Sequence, residues 1–315
     1  MYYFDNAATT RAYPEVAETI YRYLTEDFGN PSALYKFGYQ AQKNINEARD
    51  IIGKTLGAGS DEIYFIPGGT WGNNIIINSI LSKNDNGKVI TSKVEHSSVF
   101  EAIKSFGHGR EIIYLNNDRF GNVDLDMLKE VVSKEKISLV SIMHVNNELG
   151  TIEKIEEIGK ILKENNIPFH VDGVQGFCKY PIDVKKAAID FYTLSGHKIH
   201  GPKGIGAMYI SSQININPLN SGWGQEKGLV SATENVPGIM GLAKACEIKS
   251  LRLDTDLEKI KVMNNFVRSE ISSIPNSIIN SPSDGSVYII NAAFKYIRSE
   301  VLINMMSDDG FYISA

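Results

Sequence analysis

A lysine placed to act as an amine nucleophile lies in Ser195-Gly196-His197-Lys198, which runs on into Gly201-Pro202-Lys203-Gly204. The segment follows an apolar run ending at Leu194 and is dense in glycine. Partial burial and neighbouring cations lower a lysine's pKa and free its lone pair, so Lys198 could form a Schiff base with a carbonyl. Taken alone, Lys198 and Lys203 would equally be two surface lysines on a loop.

A second segment, His170-Val171-Asp172-Gly173-Val174-Gln175, ends an apolar run with a carboxylate. A carboxylate there can hold a protonated ring nitrogen by a charge-assisted hydrogen bond. That is the partner a pyridoxal phosphate ring needs to act as an electron sink. Gln175, three residues on, could reach a ring hydroxyl, whereas the plainer role for Asp172 is to cap a helix. Phe65-Ile66-Pro67-Gly68-Gly69-Thr70 runs from a strand through glycines into a helix, where free N–H groups and the helix dipole favour a phosphate. It matches neither the P-loop nor the dinucleotide fingerprint and by itself would be a tight turn. His96, in Glu95-His96-Ser97-Ser98, could stack on an aromatic cofactor or move protons, or serve structure alone. Val145-Asn146-Asn147-Glu148-Leu149-Gly150 offers two amides for ring substituents or a substrate carboxylate, although Asn-rich turns are common.

The elements that must carry these residues alternate. Apolar runs at 62–66, 88–91, 111–115, 137–143, 168–171, 191–194 and 205–210 read as strands. Helical patterns cover 14–28, 43–56, 125–133 and 155–165, with Pro14 in a first turn and Gly57 as a stop. Asn73 to Asn78 is the most apolar helix candidate, interrupted by its asparagines. The alternation predicts an α/β fold with a parallel sheet covered on both faces and its ligand beyond the carboxyl ends of the strands. After about Pro237 the pattern becomes a long helix to about Ser272, then strands at 277–280 and 288–294 and a helix over 299–307. The expected division is a large domain over 14–250 and a small one built from 1–13 and 251–315.

The chain has 315 residues, 32 Lys+Arg and 37 Asp+Glu, a net charge of −5 that offers no field for gripping nucleic acid. No apolar run approaches the ~20 residues that cross a bilayer. Two cysteines, Cys178 and Cys246, can neither frame a disulfide scaffold nor complete a metal site, so a reducing, cytoplasmic setting is the expectation and no metal is assigned. Each thiol reads as a small buried hydrophobe.

Together these segments resemble the cysteine desulfurases of the class-V, fold-type I pyridoxal-phosphate enzymes. The resemblance rests on Phe4-Asp5-Asn6-Ala7-Ala8-Thr9-Thr10, Gly29-Asn30-Pro31-Ser32, Glu95-His96, Val145 to Thr151, His170 to Gln175, Ser195 to Lys198 with Gly201 to Gly204, and Gly224-Gln225-Glu226 leading to Thr233-Glu234-Asn235. These come in the family's order along nearly the whole chain. The resemblance implies a fold-type I architecture: a mainly parallel sheet flanked by helices, with a smaller α+β domain. It implies pyridoxal 5'-phosphate held covalently by Lys198, with Asp172 on the ring nitrogen, Gln175 on the ring oxygen and His96 stacked on the ring. Lys198 and His96 would be the catalytic residues. Thr70, Ser195 and His197, with backbone from Gly69, would hold the phosphate. Asn147 would sit near the ring and the substrate carboxylate. Thr233 would reach a neighbouring subunit's phosphate, which implies a homodimer. The implied reaction turns L-cysteine into L-alanine and passes the sulfur, as a persulfide, to an iron–sulfur scaffold or another acceptor. Two other class-V activities, aminotransferase and selenocysteine lyase, share these features, as would a non-catalytic cofactor-binding partner.

Departures from the family pattern occur at Trp71, Tyr35, Lys227 and Val230-Ser231-Ala232. The resemblance places the cysteine-bearing loop and a carboxylate-binding arginine beyond Ala315, so cofactor binding with little desulfurase turnover is expected of these residues alone. Tyr288, Ile290, Phe294, Phe311 and Ile313 are expected to be left uncovered.

Overall fold

The computed structural model describes residues 1–83, 86–222 and 224–315. Strand β1 (Tyr2–Tyr3) precedes two helices, α1 (Pro14–Thr25) and α2 (Lys36–Leu56). Strands and helices then alternate as β2 (Ile63–Ile66), α3 (Gly69–Leu81), β3 (Lys88–Ser92), α4 (Ser97–Phe106), β4 (Ile112–Leu115), α5 (Leu125–Lys134), β5 (Ile137–Met143), α6 (Ile155–Glu164) and β6 (Phe169–Asp172). After β7 (Phe191–Ser195) and β8 (Gly206–Ile210) come the long α7 (Val236–Ser273), β9 (Ser277–Ile279), β10 (Ala292–Phe294), α8 (Ser299–Asp308) and β11 (Phe311–Tyr312).

The central sheet runs β2-β8-β7-β6-β5-β3-β4. Every neighbouring pair from β7 to β4 is parallel, while β8 lies antiparallel to both β2 and β7. All residues of β5, β6, β7 and β8 are buried, which requires cover on both faces. On one face Ile45, Ile52 and Leu56 of α2, Ile158 of α6 and Leu242 of α7 pack with Val140, Val171 and Leu194. On the other, α3 and α4 bring Ile76, Ile80, Val99 and Ile103 against Val89, Leu139, Phe191 and Met208. The isoleucines of α3 are buried around much of its circumference, because it is wedged between the sheet and α4. α2 ends where Gly57 takes a φ of +70°, a conformation glycine adopts at little cost.

The strands and the main helices agree with the sequence reading, but the sheet is only mainly parallel, because β8 runs against both of its neighbours, and three further differences stand out. α2 begins at Lys36 rather than near Lys43; Gly38 lets that first turn close on the Ala33 and Asn30 carbonyls, which a Cβ would strike at 2.3 and 2.6 Å. The predicted strand over 288–294 shrinks to Ala292–Phe294, because Ser286 and Val287 are bonded to the Tyr180 hydroxyl. Tyr288, Ile290, Phe294, Phe311 and Ile313 are half-buried rather than bare: Phe311 stacks on Tyr2 and Tyr288 packs edge-on to Tyr180. The bare apolar side chains of this region are instead Ile278, Tyr296, Val301, Met305 and Tyr312. α7 crosses residue 250 without a break; its buried residues concentrate between Val236 and Lys249. Among the described residues no helix is long and apolar enough to cross a membrane.

Candidate active site

Asp172 terminates β6, between the ends of β5 and β7, and is buried. Its Oδ1 accepts the Val174 N–H (3.1 Å) and its Oδ2 accepts the Asn73 amide (2.9 Å). Burial raises its pKa; the Asn73 and Val174 donors and the nearby His96 ring and Lys198 amine pull it down. A buried carboxylate held by two donors and facing the Lys198 amine is suited to a cationic ring atom.

Asn73 projects from α3 and binds three elements together. Its Nδ2 donates to both Asp172 and the Ser98 hydroxyl (2.9 Å), and its Oδ1 accepts from the Thr193 hydroxyl (2.7 Å) on β7. Ser98 in turn lies 2.8 Å from His96 Nδ1, which also accepts the Ser98 N–H (3.1 Å) and so caps α4. Accepting at Nδ1 leaves the neutral ring's proton on Nε2, and the ring itself is exposed.

Lys198 sits in a short 3-10 turn just after β7 and is half-buried. Its Nζ donates to the Ala7 (2.5 Å) and Ala8 (2.8 Å) carbonyls. Burial lowers its pKa, opposed by Asp5 and Asp172. The Ala7 carbonyl also accepts the Gln175 amide at 2.8 Å. Gln175 Oε1 accepts from Lys179 Nζ at 2.8 Å, so the amide is held with its Nε2 turned towards Ala7. Lys179 is itself buried, and burial first, then the charges of Lys198 and Lys249, bring its pKa down to about 7.

A cavity of about 490 Å³ opens beside these residues, lined by Ala8, Thr9, Pro67, Gly68, Gly69, Thr70, Trp71, Ser195, His197, Lys203 and Gly204. The start of α3 forms one wall, and the first N–H groups of a helix have no partner within it. A Cβ on Gly69 would strike Val174 at 2.6 Å, which keeps that wall close-packed and its backbone near the cavity. Lys203 supplies a cation. His197, hydrogen-bonded through Nδ1 to the Thr9 hydroxyl (3.1 Å), has its pKa lowered to about 4 by burial and by Lys198, Lys203 and Lys179. Donors, a helix N-terminus and a lysine around one hollow suit a phosphate dianion.

The structure therefore gathers Gly69, Thr70, Ser195 and His197 around one cavity. It links His96, Asp172, Lys198 and Gln175 through Asn73, Ser98 and the Ala7 carbonyl. Asn147 is half-buried, whereas its neighbour Asn146 holds the turn by accepting the Glu148 and Leu149 N–H groups. Thr233 is exposed before α7 and does not line the cavity. Sequence reasoning did not assign roles to Asn73 or Lys179. A polar residue inside the most apolar helix, and a lysine four residues beyond Gln175, were the available signals.

The sequence matches the aminotransferase class-V family over residues 2–315. The chain belongs to that family. It is 42% identical over 316 residues to the cysteine desulfurase IscS of Methanosarcina thermophila, covering 99% of this chain and 78% of that protein. The IscS of Dictyoglomus turgidum is likewise 42% identical, covering 99% and 80%. Among solved structures, a NifS-like protein superposes with a TM-score of 0.95 at 35% identity, covering 100% of this chain and 87% of that one. SspA in complex with cysteine superposes at 0.85 and 34%, covering 100% and 89%. Within the class-V family the chain is thus a cysteine desulfurase homologue, and this family of enzymes depends on pyridoxal phosphate.

Proposed function

We propose that this chain binds pyridoxal 5'-phosphate through Lys198 and acts as a cysteine desulfurase, cleaving the C–S bond of L-cysteine to leave L-alanine. The observation that carries the reading is the buried Asp172 carboxylate, fixed by Asn73 and Val174 within electrostatic reach of Lys198 and His96. The bound cofactor would supply an electron sink conjugated to the substrate's α-carbon. The protein's residues do the rest. Lys198 Nζ, its pKa lowered by burial, would be the amine that holds the cofactor aldehyde and would carry protons at the substrate. Asp172 keeps the ring nitrogen protonated. Gln175, its Oε1 held by Lys179, would offer Nε2 to the ring oxygen, and the exposed His96 ring would cover a face. Gly69, Thr70, Ser195 and His197 hold the phosphate, with Lys203 balancing its charge. Asn147 serves the substrate carboxylate, and Thr233 serves the phosphate of a second copy in a homodimer.

Cys178 and Cys246 are both buried and neither lines the cavity. The thiol that receives the substrate sulfur is therefore another one, from which sulfur passes to an iron–sulfur scaffold or a similar acceptor. The test is to add pyridoxal phosphate to the cofactor-free chain and follow the visible absorbance of a lysine Schiff base. A band that forms with wild type and is lost in Lys198→Ala is expected. A band that persists in the variant, or none in the wild type, refutes the assignment. Release of alanine from L-cysteine, with added thiol as sulfur acceptor, separates desulfuration from cofactor binding.

A further inference from the structure

The chain's two cysteines come from distant segments and meet. Cys178 lies in the turn after β6, Cys246 on α7, and their Sγ atoms are 3.6 Å apart. Cys178 has a φ of +54°, a conformation unfavourable for a residue with a side chain. It is held there although a glycine would sit more easily. Cys246 Sγ is 3.2 Å from the Thr55 hydroxyl of α2, so the pair lies at the junction of α2, α7 and the turn. A second cavity, of about 400 Å³, reaches this junction and is lined by Cys178, Thr55, Ser250, Tyr180 and Leu253 among others; Cys246 is fully buried and does not line it. The cavity is separate in its lining from the one beside Ser195.

We propose that Cys178 and Cys246 are a redox modification site, which a small hydroperoxide converts to an intramolecular disulfide. An S–S bond is about 2 Å long, so the sulfurs must close by roughly 1.5 Å, within reach of side-chain rotation on a turn facing a helix. Cys178 Sγ, reached through the cavity, attacks one peroxide oxygen; the O–O bond breaks, the alcohol or water leaves, and Cys178 becomes a sulfenic acid. Cys246 Sγ then attacks the Cys178 sulfur; the S–O bond breaks and hydroxide leaves, taking the Cys246 proton as water. Two thiols lose two electrons and the peroxide gains them. Burial pushes the Cys178 thiol well above its ordinary range, which makes the first step slow and favours small oxidants over bulky ones. The bond would tie the turn that carries Gln175 and Lys179 to α7.

The test treats the folded full chain with hydrogen peroxide, denatures it in an alkylating agent and maps peptides without reduction. Expected is loss of both alkylation sites, a linked peptide pair containing Cys178 and Cys246 within one chain, and recovery of both thiols with dithiothreitol. In Cys246→Ser the reaction should stop at a dimedone-reactive Cys178, and in Cys178→Ser residue 246 should stay reduced. The wild-type map decides even where a variant fails to fold. Both thiols still alkylated, oxidation of Cys178 to a sulfinic acid with no link, or links only between chains would each overturn the proposal.

Discussion

Glu95 follows β3, directly before His96, and is buried. Its Oε1 accepts from the Ser92 hydroxyl (2.7 Å) and the Met143 N–H (3.1 Å), while Oε2 is buried with no partner among the described residues. Burial, reinforced by the nearby Asp172 and Glu153 carboxylates, lifts its pKa from 4.5 to about 8. The folded pKa lies above the unfolded one. Between the two, the native state keeps a proton that the unfolded chain has lost, and stability falls as pH rises by up to about 1.4 kcal/mol per unit. Glu95→Gln cannot ionise and can keep both hydrogen bonds through its amide carbonyl. Across the roughly 2.5 units from about pH 5.5 to about pH 8, wild type should lose about 3 kcal/mol more than the variant. Urea unfolding of the cofactor-free protein at those two pH values, followed by tryptophan fluorescence, measures the difference. Parallel losses in the two proteins would mean that Glu95 is ionised in the native state, and the reasoning would fail. With Glu95 neutral at pH 7, Asp172 is left as the nearby carboxylate free to face a cation.

Lys179 is the mirror case. Its pKa falls from 10.5 to about 7, so the unfolded chain binds the extra proton and stability rises with pH across that window. Lys179→Met should flatten that rise, read by the same urea titration at about pH 7 and about pH 9. Removing the side chain also frees the Gln175 amide to flip, and cofactor affinity measured by absorbance should drop several-fold. Asn73→Ala leaves the Thr193 and Ser98 hydroxyls and Asp172 Oδ2 short of a partner. It should cost about 2 kcal/mol in urea unfolding and weaken cofactor binding by about tenfold; unchanged affinity would show that Asp172 needs no such support.

Burial pattern made the scaffold readable. A run such as Ile137–Met143, apolar but for Ser138 and Ser141, has few homes other than the middle of a covered sheet, and there it lies with every residue buried. The rule that ligands sit beyond strand ends then pointed to Asp172 and Lys198, which do lie at the ends of β6 and β7. Direction was less legible: Gly206–Ile210 is as apolar as its neighbours, and nothing in its composition says that it runs against them. Asn73 was hidden because its meaning is not local. It looks like a flaw in a greasy helix until sheet order brings Asp172 and Thr193 beside it. Lys179 was hidden for the opposite reason, since lysines are so seldom buried that sequence alone assigns one to solvent.

The carbonyl of Ala7 receives both Lys198 and Gln175, each of which would be needed by a ring. The amino-terminal loop and the cofactor are therefore rivals for the same two donors, and their claims are reciprocal. Whatever loosens residues 5–10 should make the vitamin easier to seat, and a seated vitamin should leave that loop easier to peel away.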